Sequence, residues 1–216
     1  EPDFGTPAHI KDAAKRAIDD NFTKYTANEG ILPLRKAIAK QVKEEHGVDY
    51  DPASQIIVSN GAKHSIYNAM MAIVNEGDEV IVPAPYWVSY PEMVKLANGS
   101  PVIVQTREED GFRLTPEQLR ETINASTKAV FINNPSNPTG SGYSREELEA
   151  LAEVIVEEDI YVIADEIYGK LMYDGLKFTR FASLGPEVWK RTITIDGVSK
   201  AYSMTGWRIG WRSEEH

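Results

Sequence analysis

The chain has 216 residues, enough for one large domain with a sizeable core, and 42% of them are apolar and 26% charged, as in ordinary globular proteins. The net charge of -10 argues against nucleic acid or an anionic membrane surface as a partner, because phosphate groups select basic patches. The chain has no cysteine, which excludes a disulfide framework and thiolate metal sites. We predict no metal site and expect a cytoplasmic protein.

Residues 1–54 differ from the rest of the chain. The opening, "EPDFGTPAHI", lacks the basic and apolar regions of a signal peptide, and we expect it to begin inside a longer protein. The stretches "HIKDAAKRAIDDNF" and "ILPLRKAIAKQVKEEHG" predict two helices around the loop "TKYTANEG". We expect this helical segment to pack on the domain that follows.

Residues 55–211 alternate short apolar runs with amphipathic helical stretches. The runs have strand length, are rich in Ile and Val, and end at turn residues. They are "QIIVSN", "EVIVPAP", "PVIVQT", "AVFINN", "YVIADE" and "TITIDG", and "WRIGW" can add a seventh. Near-continuous apolarity indicates burial on both faces, which is typical of parallel sheets.

Helix start signals lie between these runs. Thr115 with Gln118, and Ser144 with Glu147, form capping-box patterns, and a further helix follows Gly61. The alternation predicts an α/β fold of three layers, αβα, with a mainly parallel sheet of about seven strands.

Ligands bind at the carboxyl ends of the strands in such sheets. The first strand runs into "SNGAKHS", a glycine turn at a helix N-terminus that is suited to phosphate, although many ordinary turns contain glycine. In "PAPYWVSY", after the second strand, Trp87 can offer a flat face to a ring, whereas core packing is favoured for Tyr86 and Tyr90. After the fourth strand, Asn137 is either a ligand contact or part of a plain turn.

The fifth and sixth runs end in charged residues. Asp165 and Glu166 each need a partner if they are buried, either a salt bridge or helix cap, or a cationic ligand atom with Tyr168 nearby. Lys200 lies among small and apolar residues, where desolvation favours a neutral, nucleophilic amine over the usual solvated lysine. The guanidinium of Arg208 can hold a phosphate through charge-assisted, bidentate hydrogen bonds.

Together these positions suit one cofactor, pyridoxal 5'-phosphate. Its phosphate fits the helix N-terminus and Arg208, its ring fits Trp87, and its aldehyde fits the amine of Lys200. Its protonated pyridine nitrogen pairs with Asp165, which keeps the ring an electron sink.

The stretch "GVSKAYSMTGWRIG" resembles, position by position, the lysine signature of class I pyridoxal-phosphate aminotransferases. Other blocks are similar to that family in the same order, namely "YTANEGILPLRKAIA", "SNGAKHS", "PYWVSYPEM", "NNPSNPTG" and "ADEIYG". The resemblance covers roughly residues 1–211 and is greatest to bacterial aspartate aminotransferases. It implies an amino acid and a 2-oxo acid as partners, with aspartate and 2-oxoglutarate favoured, and a homodimer.

The resemblance also implies a role for each matching residue. Lys200 resembles the lysine that forms the Schiff base and moves the proton between substrate and cofactor. Asp165 resembles the partner of the pyridine nitrogen, and Trp87 the aromatic that stacks on the ring. Asn137 and Tyr168 resemble the pair that hydrogen-bonds the phenolic oxygen.

The implied phosphate contacts come from three parts of the chain. Those within one subunit are Gly61, Ala62, Lys63 and Arg208. Ser199 is counted with the cofactor contacts, although it need not replace a serine that some relatives carry at the position of Gly197. Tyr25 resembles a tyrosine that reaches the phosphate of the other subunit, and the lysine matching Lys63 can also read a distal carboxylate.

The expected organisation is a helical segment at 1–54, a cofactor-binding large domain at 55–211 and a non-family tail at 212–216. The resemblance implies a further small domain, absent here, that carries the arginine for the substrate's α-carboxylate. Three hypotheses follow: an aminotransferase, a cofactor-binding module with little or no transamination, and a structural fragment that folds without cofactor.

Overall fold

A computed structural model describes residues 2–215, in which seven strands form one sheet with helices on both faces. This confirms the predicted α/β class. The strands are β1 Ile56–Ser59, β2 Glu79–Ala84, β3 Ser100–Gln105, β4 Thr127–Asn133, β5 Tyr161–Asp165, β6 Thr192–Gly197 and β7 Gly210–Ser213. The helices are α1 Ala8–Asp19, α2 Leu32–His46, α3 Ala62–Ile73, α4 Ser89–Leu96, α5 Pro116–Thr122, α6 Arg145–Glu157 and α7 Pro186–Arg191. Two 3-10 turns cover Phe181–Leu184 and Thr205–Trp207.

The strand order is β1-β7-β6-β5-β4-β2-β3. The five strands from β6 to β3 pair in parallel, whereas β7 runs antiparallel to both β6 and β1. The chain therefore turns back after β6, through residues 198–209, and β7 enters the sheet between β6 and β1. This long turn lies at the carboxyl end of β6, where ligand sites are expected.

The sheet is buried on both faces, as its apolar runs predict. In β4, Val130 and Ile132 pack with α5 and α6, while Phe131 points to the opposite face and packs with α3 and α4. Because successive side chains of a strand alternate between faces, both sets are apolar.

Both predicted capping boxes form at the helix starts. The Thr115 hydroxyl accepts from the backbone N–H of Gln118 and the Ser144 hydroxyl from that of Glu147, each at 3.2 Å. The reciprocal side-chain bonds are also present. Helices α4 and α7 were not predicted, because each is short and its periodicity is hidden among aromatic and proline residues.

The two predicted N-terminal helices form but differ in packing. Helix α2 buries Ile38 and Val42 in a cluster with Ile56 and Trp211, whereas α1 buries none of its residues. The segment before α1 is anchored instead at Thr6, whose hydroxyl donates to Ser203 O at 2.6 Å.

The sheet continues beyond residue 211. Arg212 and Ser213 lie in β7 opposite Ile57 and Ile56, and the amide of Glu214 donates to Gln55 O. The last residue of the predicted tail, His216, lies outside the described residues. Within residues 2–215, no helix is both long and apolar enough to cross a membrane.

The contact between β7 and α3 leaves no room for a side chain at Gly210. A Cβ there would collide with the backbone of Gly61 and Ala62. We expect Gly210→Ala to lower the free energy of unfolding by roughly 1–3 kcal/mol, the usual cost of overpacking, as measured by urea denaturation. Gly206→Ala is the matched control, since a Cβ at Gly206 meets no atom within 4 Å. Equal stability of the two variants would contradict this close packing.

Candidate active site

A cavity of about 290 Å³ opens at the carboxyl ends of the central strands, where the site was predicted. Its walls gather most of the predicted site residues, although these lie far apart in the sequence. They are Ala62, Lys63, Trp87, Asn137, Asp165, Tyr168, Ser199, Lys200 and Arg208. Ile66, Tyr90, Asn133, Ile167 and Thr205 complete the lining.

One end of the cavity is formed by the N-terminus of α3. Gly61 has φ +85°, which glycine adopts without strain, and a Cβ on it would collide with Nη2 of Arg208. The first amides of a helix have no partner within the helix and favour negative charge. The guanidinium of Arg208 therefore stands beside a helix N-terminus, an arrangement that suits a phosphate.

Arg208 itself has an unusual backbone. Its φ and ψ are +56° and +53°, a left-handed conformation that costs a non-glycine residue roughly 1–2 kcal/mol. Its Nη1 donates to Thr205 O at 2.8 Å, which fixes the guanidinium toward the cavity wall. Such strain in an ordered segment is typical of binding sites.

Asp165 forms the floor of the cavity and is 4% exposed. The Tyr90 hydroxyl donates to its Oδ2 at 2.6 Å, and the Ile167 amide to its Oδ1 at 3.3 Å. Burial raises the pKa of Asp165 to about 6, although both hydrogen bonds act in the opposite direction. Among residues 2–215 no cation forms an ion pair with this carboxylate, so its only charge compensation comes from hydrogen bonds.

Tyr90 is the main functional residue that the sequence interpretation missed. It was expected to pack in the core, and it does so, with its ring stacked on Phe131 at 4.4 Å between centroids. Burial also raises the pKa of its phenol well above the usual value, so it remains a proton donor to Asp165. The spacing Trp87-x-x-Tyr90 at a helix start was the available signal, since it brings both rings to one side.

Trp87 lies at the edge of the cavity in an edge-to-face contact with Tyr90, with 5.4 Å between ring centroids. The ammonium of Lys63 stands 4.7 Å from the centroid of the Trp87 ring, within cation–π range. The indole ring of Trp87 and the ammonium of Lys63, both predicted for the site, therefore face each other.

Asn137 and Tyr168 also line the cavity. They hydrogen-bond to each other, which opposes the rise in the pKa of Tyr168 that burial and Asp165 cause. A second asparagine, Asn133, holds this part of the cavity wall: its Nδ2 donates to Asp165 O at 2.9 Å and its Oδ1 accepts from the Asn137 amide at 2.7 Å. Asn133 was missed because it ends a strand and its amide bonds only to backbone.

Lys200 lies in the turn after β6, half-buried, with its ammonium 5.6 Å from the centroid of the Tyr168 ring. Ser199 beside it is buried, and its carbonyl accepts from the Met204 amide at 3.0 Å. A Cβ at Gly197 would lie 2.9 Å from Ile209 O. A side chain at that position would therefore require the neighbouring strand to shift.

Two predicted residues lie elsewhere. Tyr25 is fully exposed and is not among the residues that line the cavity. Glu166, for which a salt bridge was one alternative, points away from the cavity, and its Oε2 lies 3.2 Å from Nε of the buried Arg180.

The family model described as "Aminotransferase class I and II" matches residues 1–213. Among curated proteins, the chain is 53% identical over 211 residues to the aspartate aminotransferase of Bacillus subtilis, covering 98% of this chain and 53% of that protein. It is 53% identical over 212 residues to the aspartate/prephenate aminotransferase of Cereibacter sphaeroides, with the same coverage. The chain spans about half the length of the curated relatives it matches.

The chain is also similar to solved structures of aminotransferases. An aspartate aminotransferase from Thermus thermophilus with maleate matches with a TM-score of 0.95 and 46% identity, over 99% of this chain and 55% of that one. An aromatic aminotransferase from Pyrococcus horikoshii matches with a TM-score of 0.97 and 43% identity, over 99% and 57%.

Burial of Asp165 has a measurable effect on stability. The pKa of this carboxyl rises from 3.8 to about 6 on folding. The stability that the folded protein has with this carboxyl protonated is therefore complete below pH 4 and is lost as the pH rises through 6. We expect Asp165→Asn to gain stability over the wild type through this window, reaching about 3 kcal/mol at pH 7. Urea denaturation at pH 4, 5, 6 and 7 measures the difference.

The exposed Asp3 supplies the control for this measurement. Asp3→Asn removes an exposed carboxylate and is expected to change the free energy of unfolding by less than about 0.5 kcal/mol. If the stability of Asp165→Asn relative to the wild type did not increase between pH 4 and 7, the result would contradict the conclusion that Asp165 is buried without a compensating cation.

Proposed function

The chain belongs to the class I and II aminotransferases, and from this premise we propose that it binds pyridoxal 5'-phosphate and transfers amino groups between an amino acid and a 2-oxo acid. The observation that supports this most strongly is the grouping of Lys200, Asp165 and Arg208 around one cavity. An amine, an uncompensated carboxylate and a guanidinium beside a helix N-terminus are the groups that this cofactor requires.

Two features of the site fit the cofactor independently of the family. Because Gly61 lacks a side chain, the guanidinium of Arg208 lies directly against the helix N-terminus. This arrangement suits a phosphate. The buried carboxylate of Asp165 has hydrogen bonds but no cationic partner among residues 2–215, and this suits a protonated ring nitrogen.

The residues that would hold the cofactor follow from their positions. The phosphate would be held at Gly61, Ala62, Lys63, Ser199 and Arg208, the ring against Trp87, and the ring oxygen by Asn137 and Tyr168. When bound, pyridoxal phosphate supplies an electron sink for the charge left at the substrate Cα after proton removal. Asp165 keeps the ring nitrogen charged, and Tyr90 holds that carboxylate in place.

Lys200 has two roles in this proposal. Its amine would hold the cofactor. Once released, the amine would take the proton from the substrate Cα as a general base and then, as an ammonium, give that proton up as a general acid. The neighbouring Tyr168 fixes the side of the cavity on which the amine works. The turns at Ser199 and Ser203 hold the backbone on either side of the lysine.

We propose aspartate and 2-oxoglutarate as substrates, because two relatives are named for aspartate and because Lys63 is available for a distal carboxylate. Among the described residues that line the cavity, the cations are Lys63, Lys200 and Arg208. All three would serve the cofactor, and Lys63 would also meet the distal carboxylate of the substrate. The α-carboxylate of a dicarboxylic substrate then has no cation of its own here.

This shortage supports a second candidate function, a cofactor-binding module with little or no transamination. Substrate orientation contributes strongly to enzymatic rates, and it depends on groups that fix both ends of the substrate. The chain also spans about half the length of its relatives.

We further propose a homodimer in which Tyr25 contacts the phosphate bound by the other subunit. The exposure of Tyr25 in its own subunit supports this, since a large aromatic side chain without cover is available to a partner.

Cofactor binding is tested by adding pyridoxal phosphate and recording the visible absorption spectrum. We expect a visible band that Lys200→Ala abolishes, because the variant lacks the amine that holds the cofactor. Lys95→Ala changes an exposed lysine on α4 and is expected to leave the band intact. A wild-type chain with no band at saturating cofactor would contradict the proposal.

Turnover separates the two candidate functions. With aspartate, 2-oxoglutarate and cofactor, we expect oxaloacetate to form at a trace rate or not at all, because the described residues of the cavity leave no cation for the α-carboxylate. A coupled assay for oxaloacetate measures the rate. Formation at the rate of the Bacillus subtilis relative, assayed in parallel, would exclude the module.

A further inference from the structure

A buried arginine joins the two strand ends that carry the active-site residues. Arg180 follows the loop after β5 and is 3% exposed. Its Nη2 lies 2.7 Å from Oδ2 of Asp196 at the end of β6, and its Nε lies 3.2 Å from Oε2 of Glu166, just past β5. One guanidinium therefore contacts two carboxylates from neighbouring strands.

Both carboxylates lie within a few residues of positions that line the active-site cavity. Glu166 follows Asp165 directly, and Asp196 is four residues before Lys200. Since neighbouring side chains at a strand end point in opposite directions, Asp165 faces the cavity while Glu166 faces Arg180.

The two carboxylates also hold the backbone of the strand ends. Oε1 of Glu166 accepts from the Phe181 amide at 2.8 Å, and Oδ1 of Asp196 accepts from the Gly197 amide at 2.7 Å. The amide of Glu166 in turn donates to Ile195 O at 2.9 Å. The cluster of Glu166, Arg180 and Asp196 thus fixes each strand end where it leaves the sheet.

Arg180 has no direct contact with the cavity that would hold the cofactor. It lines a separate cavity of about 190 Å³ on the other side of the strand ends, between α2 and the loops. Ile167 lines both cavities and separates them. The contacts of Arg180 with the two carboxylates therefore reach the site through the loops that carry them.

A cluster of this kind favours a single arrangement. Burial raises the pKa of Glu166 and of Asp196, and Arg180 opposes both shifts. Because a buried carboxylate without its cation is costly, the two strand ends cannot separate without leaving a charge unpaired. The planar fork of arginine can contact both carboxylates at once, which a single ammonium does less well.

We propose that Arg180 is a positioning residue that sets the distance between Asp165 and Lys200 by holding Glu166 and Asp196. Its effect on cofactor binding rests on the proposed function, whereas its effect on the two loops does not. The loops in question are residues 166–170 and 197–203.

The control is another buried arginine with purely structural contacts. Arg35 is 5% exposed and donates to the carbonyls of Gly30, Pro52 and Ala53, all outside the active-site walls. Arg180→Met and Arg35→Met each remove one buried guanidinium and are expected to lower the melting temperature. Only Arg180→Met is expected to disturb the active-site loops.

The first measurement uses the cofactor-free protein. Hydrogen–deuterium exchange is compared at residues 166–170 and 197–203 in the wild type and both variants. We expect roughly tenfold or faster exchange there in Arg180→Met and wild-type exchange in Arg35→Met. Equal protection of these loops in the two variants would overturn the proposal.

The second measurement uses pyridoxal phosphate. We expect Arg180→Met to bind it roughly tenfold or more weakly, with a smaller visible circular dichroism signal per unit of absorbance, because the amine and the carboxylate are no longer held apart at a fixed distance. Arg180→Lys is expected to recover part of both. Unchanged affinity and dichroism in Arg180→Met would also overturn the proposal.

Two further outcomes are distinguishable. If Arg180→Met does not fold, the triple variant Glu166→Gln, Arg180→Met, Asp196→Asn removes all three charges, and the same loss of loop protection is expected in it. A wild-type chain that binds no cofactor would contradict the proposed function, while the exchange comparison would still decide whether Arg180 positions the loops.

Discussion

The arrangement of the active site depends above all on one buried carboxylate, that of Asp165, at the end of a central strand. A carboxylate at 4% exposure without a cation is held in place by the hydrogen bonds of Tyr90 and the Ile167 amide. The stacking of Tyr90 on Phe131, and the bond from Asn133 to the carbonyl of Asp165, serve the same arrangement. The core on this side of the sheet is therefore built to present a negative charge to the cavity.

The opposite end of the cavity depends on close backbone contacts. Gly61 and Gly210 allow the start of α3 and the start of β7 to touch, and Arg208 is then held beside the helix N-terminus. The positive charge of Arg208 and the negative charge of Asp165 thus face one cavity, which Lys200 also lines. A ligand with an anionic and a cationic end matches this polarity.

Much of this could be predicted from the sequence, because apolar runs define the strands and the carboxyl ends of parallel strands meet at one edge. Asp165, Lys200 and Arg208 were found in this way. The hydroxyl of Tyr90 and the amide of Asn133 were not, since their roles appear only when α4 and β4 are brought together. Arg180 gave no signal either: it lies in a loop, and its two partners come from strands that neither periodicity nor motif connects to it. The close contact at Gly197 likewise depends on the opposite strand.

The position of β7 between β6 and β1 has a consequence for the order of folding. Among the described strands, β1 pairs with β7 alone, so residues 56–59 cannot join the sheet until residues 210–213 are in place. This contact spans some 150 residues and is slow to form, because the entropy of closing so long a loop is lost before the pairing stabilises it. On the ribosome, β1 is thus synthesised well before the strand with which it pairs. The end of the site next to Arg208, which is built on this junction, would be completed only after β7 has been synthesised.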